Sequence, residues 1–195
     1  PYVNLELTLA ELSARRGSAT ASVRSPNTRA RYAGEVREGR LVATEPTTIE
    51  LRRVDRDFGF RLARFIPVVG ALTKTPQDQP ATINIPALAL PLDGDLARIE
   101  FSLTADPGTG QLDFERGIVG LIDPRIVRQG RSVGDSFQPF NVAMAGGVLR
   151  VTGFVLPVGE FQIPAEATYD FNQNTEDVVV RLPAGVLLKD ALDGD

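Results

Sequence analysis

From Tyr2 to Leu9 the chain alternates: Val3, Leu5, Leu7 and Leu9 are separated by Asn4, Glu6 and Thr8. A period of two sets the aliphatic side chains on one side of an extended backbone and predicts a strand with one buried face. A slip of one residue would expose the whole set, so its register is expected to be firm. From Gly17 to Thr48 the pattern fades into Ser, Thr, Arg and Gly, leaving short strand candidates at 19–23 and 40–43. Alternation returns at 47–54, and further candidates follow at 81–90, 96–104, 111–121, 148–156, 160–171 and 177–182.

Turn chemistry separates these runs. Leu92-Asp93-Gly94-Asp95 and Asp106-Pro107-Gly108-Thr109-Gly110 both read as hairpin connections, predicting a meander of neighbouring antiparallel strands from about Ile83 to Val119. Helical spacing is confined to short stretches, 9–16 or 123–128 and the tail 184–192. The expected fold is therefore all-β, an antiparallel sandwich or barrel with a jelly roll among the variants and one or two short helices. It is expected to be a single β-rich domain over 1–195, with a sub-boundary near 73–80 as the one candidate division.

Fourteen prolines test that map. Pro86, Pro91, Pro157 and Pro164 fall in or beside proposed strands, where a residue without an N–H cannot serve a central ladder. They are expected at strand ends, bulges or edges.

The stretch Asp57–Leu72, DFGFRLARFIPVVGAL, is dense in apolar residues and carries only Arg61 and Arg64 as cations. It reads either as a core segment or as an exposed contact surface, with Phe58, Phe60, Arg61, Arg64 and Phe65 as the candidate interaction residues. Pro67 and Gly70 limit any helix there to one or two turns.

Charge changes the picture further. Residues 1–74 hold 13 basic and 8 acidic side chains, a net of +5, whereas 75–195 hold 8 and 17, a net of −9. Arg15, Arg16, Arg24, Arg29, Arg31, Arg37 and Arg40, then Arg52, Arg53, Arg56, Arg61 and Arg64, form the basic half. They read as a solvated face, as a surface meeting the acidic half of a neighbouring copy, or as a patch for anionic lipid. A pI near 5.0 and few aromatics argue against nucleic acid. Nineteen arginines against two lysines are read chiefly as genome composition.

The chain has no His and no Cys. That excludes a Ser-His-Asp triad, a thiolate nucleophile and an ordinary zinc or copper site, and leaves compartment open. No apolar run approaches the roughly 20 residues of a membrane-spanning helix, so the chain reads as soluble.

Three motif matches are read conservatively. Gly130-Arg131-Ser132-Val133-Gly134 has the spacing of a nucleophile elbow but no imidazole to serve Ser132, and reads as a loop. Asp170-Phe171-Asn172-Gln173-Asn174 resembles the start of a calcium loop, but Thr175 and Arg181 stand where Gly and Glu are needed, so it reads as a polar turn. Asp93 and Asp95, like Asp190, Asp193 and Asp195, read as solvated turn carboxylates rather than a glycosidase pair.

The residues therefore point to a non-enzymatic structural or assembly subunit, of the kind found in virions, tails or cell-surface layers, with no cofactor and with copies of itself or other subunits as partners. The alternative is a β-barrel carrier holding an apolar molecule or lipid against residues such as Phe101, Phe114, Phe154 and Phe161.

Overall fold

The structure is a computed structural model that describes residues 4–10, 16–25, 28–52, 72–74, 80–112, 133–158 and 161–182. Their strands are, in chain order, β1 (Asn4–Ala10), β2 (Ser18–Arg24), β3 (Thr28–Arg37), β4 (Arg40–Ala43), β5 (Thr47–Leu51), β6 (Leu72–Lys74) and β7 (Ala81–Pro91). After them come β8 (Glu100–Asp106), β9 (Thr109–Leu112), β10 (Val133–Ser136), β11 (Phe140–Ala145), β12 (Val148–Val158), β13 (Phe161–Asp170) and β14 (Thr175–Val180). Every pairing is antiparallel, and eleven strands share one sheet in the order β1-β2-β3-β4-β7-β8-β11-β12-β13-β14, with β5 completing the position of β4 between β3 and β7. The all-β antiparallel class expected from the alternation is the one observed. Among the described residues the strands of this sheet follow one another in chain order, an up-and-down order, with β6 and then β9 and β10 leaving it for a second sheet.

One rung crosses the whole sheet. Leu5 stands opposite Val23, Val23 opposite Ala30, then Ile49, Ile83, Ala105 and Phe140 in turn. Past a bulge in β12 the rung continues through Phe154, Ala165 and Val180. One residue along, Asn4, Arg24, Arg29, Glu50, Thr82 and Asp106 are aligned in the same way. The period of two thus makes the sheet apolar on one face and polar on the other from edge to edge. Glu6 and Thr8 are exposed, as the alternation in β1 requires; the side chains of the intervening leucines lie outside the described residues.

A line of irregularities runs across the middle of this sheet. The break between β4 and β5 at Thr44-Glu45-Pro46 faces β3, the register of β7 against β8 shifts between Asn84 and Ala87, and that of β12 against β13 shifts between Val151 and Phe154. These three irregularities align through Leu103 and Val142, so the ladders are interrupted at one level across the sheet. The prolines fit this geometry. Pro86 lies in the β7 shift, Pro91 ends β7, and Pro157 is the penultimate residue of β12. Pro164 accepts a 3.0 Å hydrogen bond from the Arg181 N–H but has none to return, and the β13–β14 ladder stops there.

The long connections leave from one end of the sheet, after Leu51 and after Asp106, and they meet in a second sheet, β10-β9-β6. Here Asp106-Pro107-Gly108 departs from the sequence expectation. It is a bend that carries β8 into β9, not a hairpin, because Asp106 Oδ1 accepts the Gly108 N–H and the Gly108 carbonyl accepts the Phe137 N–H. β8–β9 and β10–β11 are therefore one long hairpin bent at Pro107 and Pro139, which folds β10 toward β12 and Phe137 into the core. That core is Leu51, Ala81, Phe137, Phe140, Val142, Val151, Phe154, Leu156, Ile163 and Ala165, densest at this end of the sheet. Ile163 is fully buried, and Phe140 and Phe154 meet edge to face with ring centroids 5.2 Å apart.

At the opposite end the turns are short. Glu38-Gly39 and Gly146-Gly147 have positive φ at both central positions, the two-residue hairpin geometry that suits the twist of the flanking strands. Asp93-Gly94 turns β7 into β8 as expected, but Leu96–Arg98 is a 3-10 turn rather than the start of the strand, its Ala97 N–H held by Asp95 Oδ1. That turn is the one helical element among the described residues; 11–15, 123–128 and 184–192, where short helices were expected, lie outside them, and Leu9 and Ala10 belong to β1. Strands β3, β6, β10 and β11 were not anticipated by the alternation.

Candidate interaction surfaces

The sheet brings the two charge halves of the chain to its opposite ends. Arg24, Arg29, Arg31 and Arg37 are exposed on β2 and β3, while Glu166, Glu176 and Asp177 are exposed on β13 and β14. Several are paired locally: Arg31 with Glu45 at 3.8 Å, Arg37 with Glu35 at 3.4 Å and Arg181 with Glu166 at 3.1 Å. Each of these pairs is more than half exposed on at least one side and adds little to stability, so the arrangement acts chiefly through its long-range field. Arg40 is more enclosed; it bonds Glu100 at 3.0 Å and the Arg98 carbonyl at 2.9 Å, tying β4 across β7 to β8.

Both sheet edges are open among the described residues: β1 pairs only with β2, and β14 only with β13. β14 is also bare, with five of its six residues exposed and Val178 and Val179 each 39% accessible. Because the Arg181 N–H points at β13, alternation turns the N–H groups of Val178 and Val180 outward, away from β13. An edge with outward donors and apolar side chains is a template for another strand.

The clustered carboxylates have other occupations. Asp93 accepts from the Asp95 N–H and pairs with Arg98, and Asp170 Oδ1 accepts the N–H groups of Asn172 and Gln173. Asn172 in turn donates to the Gly146 carbonyl at 2.9 Å, so the 170–174 segment is a turn braced against the neighbouring hairpin. No group of three or more His, Cys, Asp or Glu side chains converges among the described residues.

Among the described residues, Tyr32 is a titratable group whose environment shifts it clearly. Its ring lies over Gly34, where an added Cβ would meet Tyr32 Cζ at 2.8 Å and the Val42 carbonyl at 3.0 Å. The hydroxyl is buried without a hydrogen-bond partner, and burial raises its pKa above the ordinary 10.0. Tyr32→Phe removes an orphaned polar atom and is expected to be neutral or stabilising by up to about 1 kcal/mol in a chemical melt. The folded state holds this proton more tightly than the unfolded chain does. Its contribution is therefore intact below the unfolded value near 10 and lost as pH rises through the folded one, a loss the Phe variant is expected to lack.

The five residues singled out in the sequence, Phe58, Phe60, Arg61, Arg64 and Phe65, lie outside the described residues, as does Ser132. The edges were missed, since openness is a property of strand order that no local pattern carries. No family model, curated protein or solved structure matches this chain.

Proposed function

We propose that this protein is a non-enzymatic assembly module, a β subunit that works by joining other chains. The observation that carries this reading is the pair of open sheet edges, one bordered by exposed arginines and the other acidic and bare. Native sheets cover or break such edges, or place charge along them, when no partner is meant to add to them, and in β14 the charge stops at Asp177 and leaves Val178, Val179 and Val180 uncharged. Sedimentation velocity over a range of protein concentration and salt tests it. The expected result is association that grows with concentration and weakens, without vanishing, as salt rises. A monomer under all conditions, with no co-purifying partner, would overturn the reading.

A carrier for an apolar molecule is the second reading. It is supported by the turn-end half of the apolar face, where Leu41, Leu88, Leu90, Phe101, Leu103 and Leu149 stay partly exposed while the loop-end half is buried together with Phe137. Native mass spectrometry of the purified chain is expected, on that reading, to show a bound lipid or fatty acid.

A further inference from the structure

We propose that the strand which adds to β14 is β1 of a second copy of this chain, so that copies continue one sheet head to tail. This rests on the assembly reading above and names its partner and its junction. Parity is the first argument. Among the described residues the sheet has ten strand positions, and in an up-and-down order an even number makes the first and last strands run in opposite directions. A copy placed edge to edge with its apolar face on the same side then meets β14 in the antiparallel sense, which preserves the alternation throughout the sheet and gives the more stable pairing.

Register is the second argument. The rung that crosses the sheet begins at Leu5 and ends at Val180. Continuing it sets Leu5 opposite Val180 and Leu7 opposite Val178 on the apolar face, with Glu6 opposite Val179 on the polar face. The two faces stay matched across the junction, whereas a one-residue slip would mix them. The edge itself is the third argument: Thr175–Val180 is regular, with no Pro, Lys or bulge to blunt it. Charge bears on the approach rather than on the junction: exposed arginines of β2 and β3 border one edge and Glu166, Glu176 and Asp177 border the other, an attraction that salt screens. The contact is heterologous, and it grows open-ended chains unless the rotation closes.

The absence of cysteine makes the test clean. In the full chain carrying Glu6→Cys and Val179→Cys, cross-strand Cα atoms would lie about 4.5 to 5.5 Å apart, within disulfide reach. Mild oxidation is expected to give a ladder of multimers on a non-reducing gel that collapses with reductant. The pair Glu6→Cys and Thr175→Cys, four residues out of register, is expected to stay unlinked. Val178→Pro removes an outward donor and leaves the bonds to β13 in place, so it is expected to weaken association by about tenfold with an unchanged melting temperature. A disulfide formed within one chain would mean that β1 closes onto its own β14, and would overturn the proposal. Association that persists with no 6–179 link and no effect of Val178→Pro would also overturn it while leaving the assembly reading standing; a monomer throughout would sink both.

Discussion

Phe154→Ala is expected to cost about 3 to 5 kcal/mol, a large share of the 5 to 15 kcal/mol that holds a domain of this kind together. Phe154 is 4% exposed and follows the β12 bulge, which returns it to the apolar face opposite Ala165. Its ring stands at 82° to that of Phe140, so the substitution removes both a buried ring and an edge-to-face contact. The neighbouring core residues lie on strands fixed by their ladders and cannot close the cavity. Urea titration should show a lower midpoint with an unchanged slope, since the denatured chain is little altered. Phe171→Ala is the control: that ring is 40% exposed and rests on Tyr169, so about 1 kcal/mol or less is expected. A Phe154→Ala cost no larger than the control's would place the core elsewhere.

How much of this fold could be read from the chain depended on the size of the inward residues. β1, β8 and β12 carry Leu, Phe, Val or Ile at alternate positions, and their alternation was plain. In β3 the inward positions are Thr28, Ala30, Tyr32, Gly34 and Val36, with arginines between, so small side chains hid the period and the strand passed for a solvated basic loop. Gly34 has to be small because the Tyr32 ring occupies its space, a constraint that exists only after folding. β10 was masked by Gly134, Asp135 and Ser136, whereas β11 does alternate, Phe140, Val142 and Met144 against Asn141, Ala143 and Ala145, but over six residues with alanines outward the period did not stand out. Prolines were expected at strand ends, bulges or edges, and Pro86 in the β7 shift and Pro91 and Pro157 at strand ends lie there, because a missing N–H has the same consequence in any sheet. The charge split was legible as composition. Its meaning as a gradient between two edges needed the strand order.

The chemistry of the chain follows the same division. Of the carboxylates that looked clustered in sequence, Asp93 and Asp95 are spent on a turn and Asp190, Asp193 and Asp195 lie outside the described residues; Asp106 and Asp170 likewise accept backbone N–H groups at strand connections. The polar face above them is built from Thr, Asn, Arg and Glu in cross-strand rows, such as Thr104 bonding Asn141 at 2.9 Å. That is how a sheet meets water on one side.

Placing a carboxylate on either face separates the two sides most sharply. Val142 is 3% exposed between Leu103 and Val151, whereas Ala143, the next residue, is exposed between Ser102 and Arg150. Val142→Asp is expected to cost more than about 4 kcal/mol and to leave little folded protein at neutral pH, since the charge has no partner there. Ala143→Asp gains Arg150 as a cross-strand neighbour and is expected to fall within about 0.5 kcal/mol of the parent. Acid should distinguish them again. Burial raises the pKa of an aspartate at 142, so its folded form is favoured below the unfolded value near 3.9 and lost as pH rises through the folded one. The deficit of Val142→Asp should therefore shrink on acidification, while Ala143→Asp, whose carboxylate is favoured by Arg150, should weaken as its proton is taken up. Thermal melts of both variants between pH 3.5 and 7.5 would show it, and equal losses at the two positions would mean that the sheet does not have one apolar side.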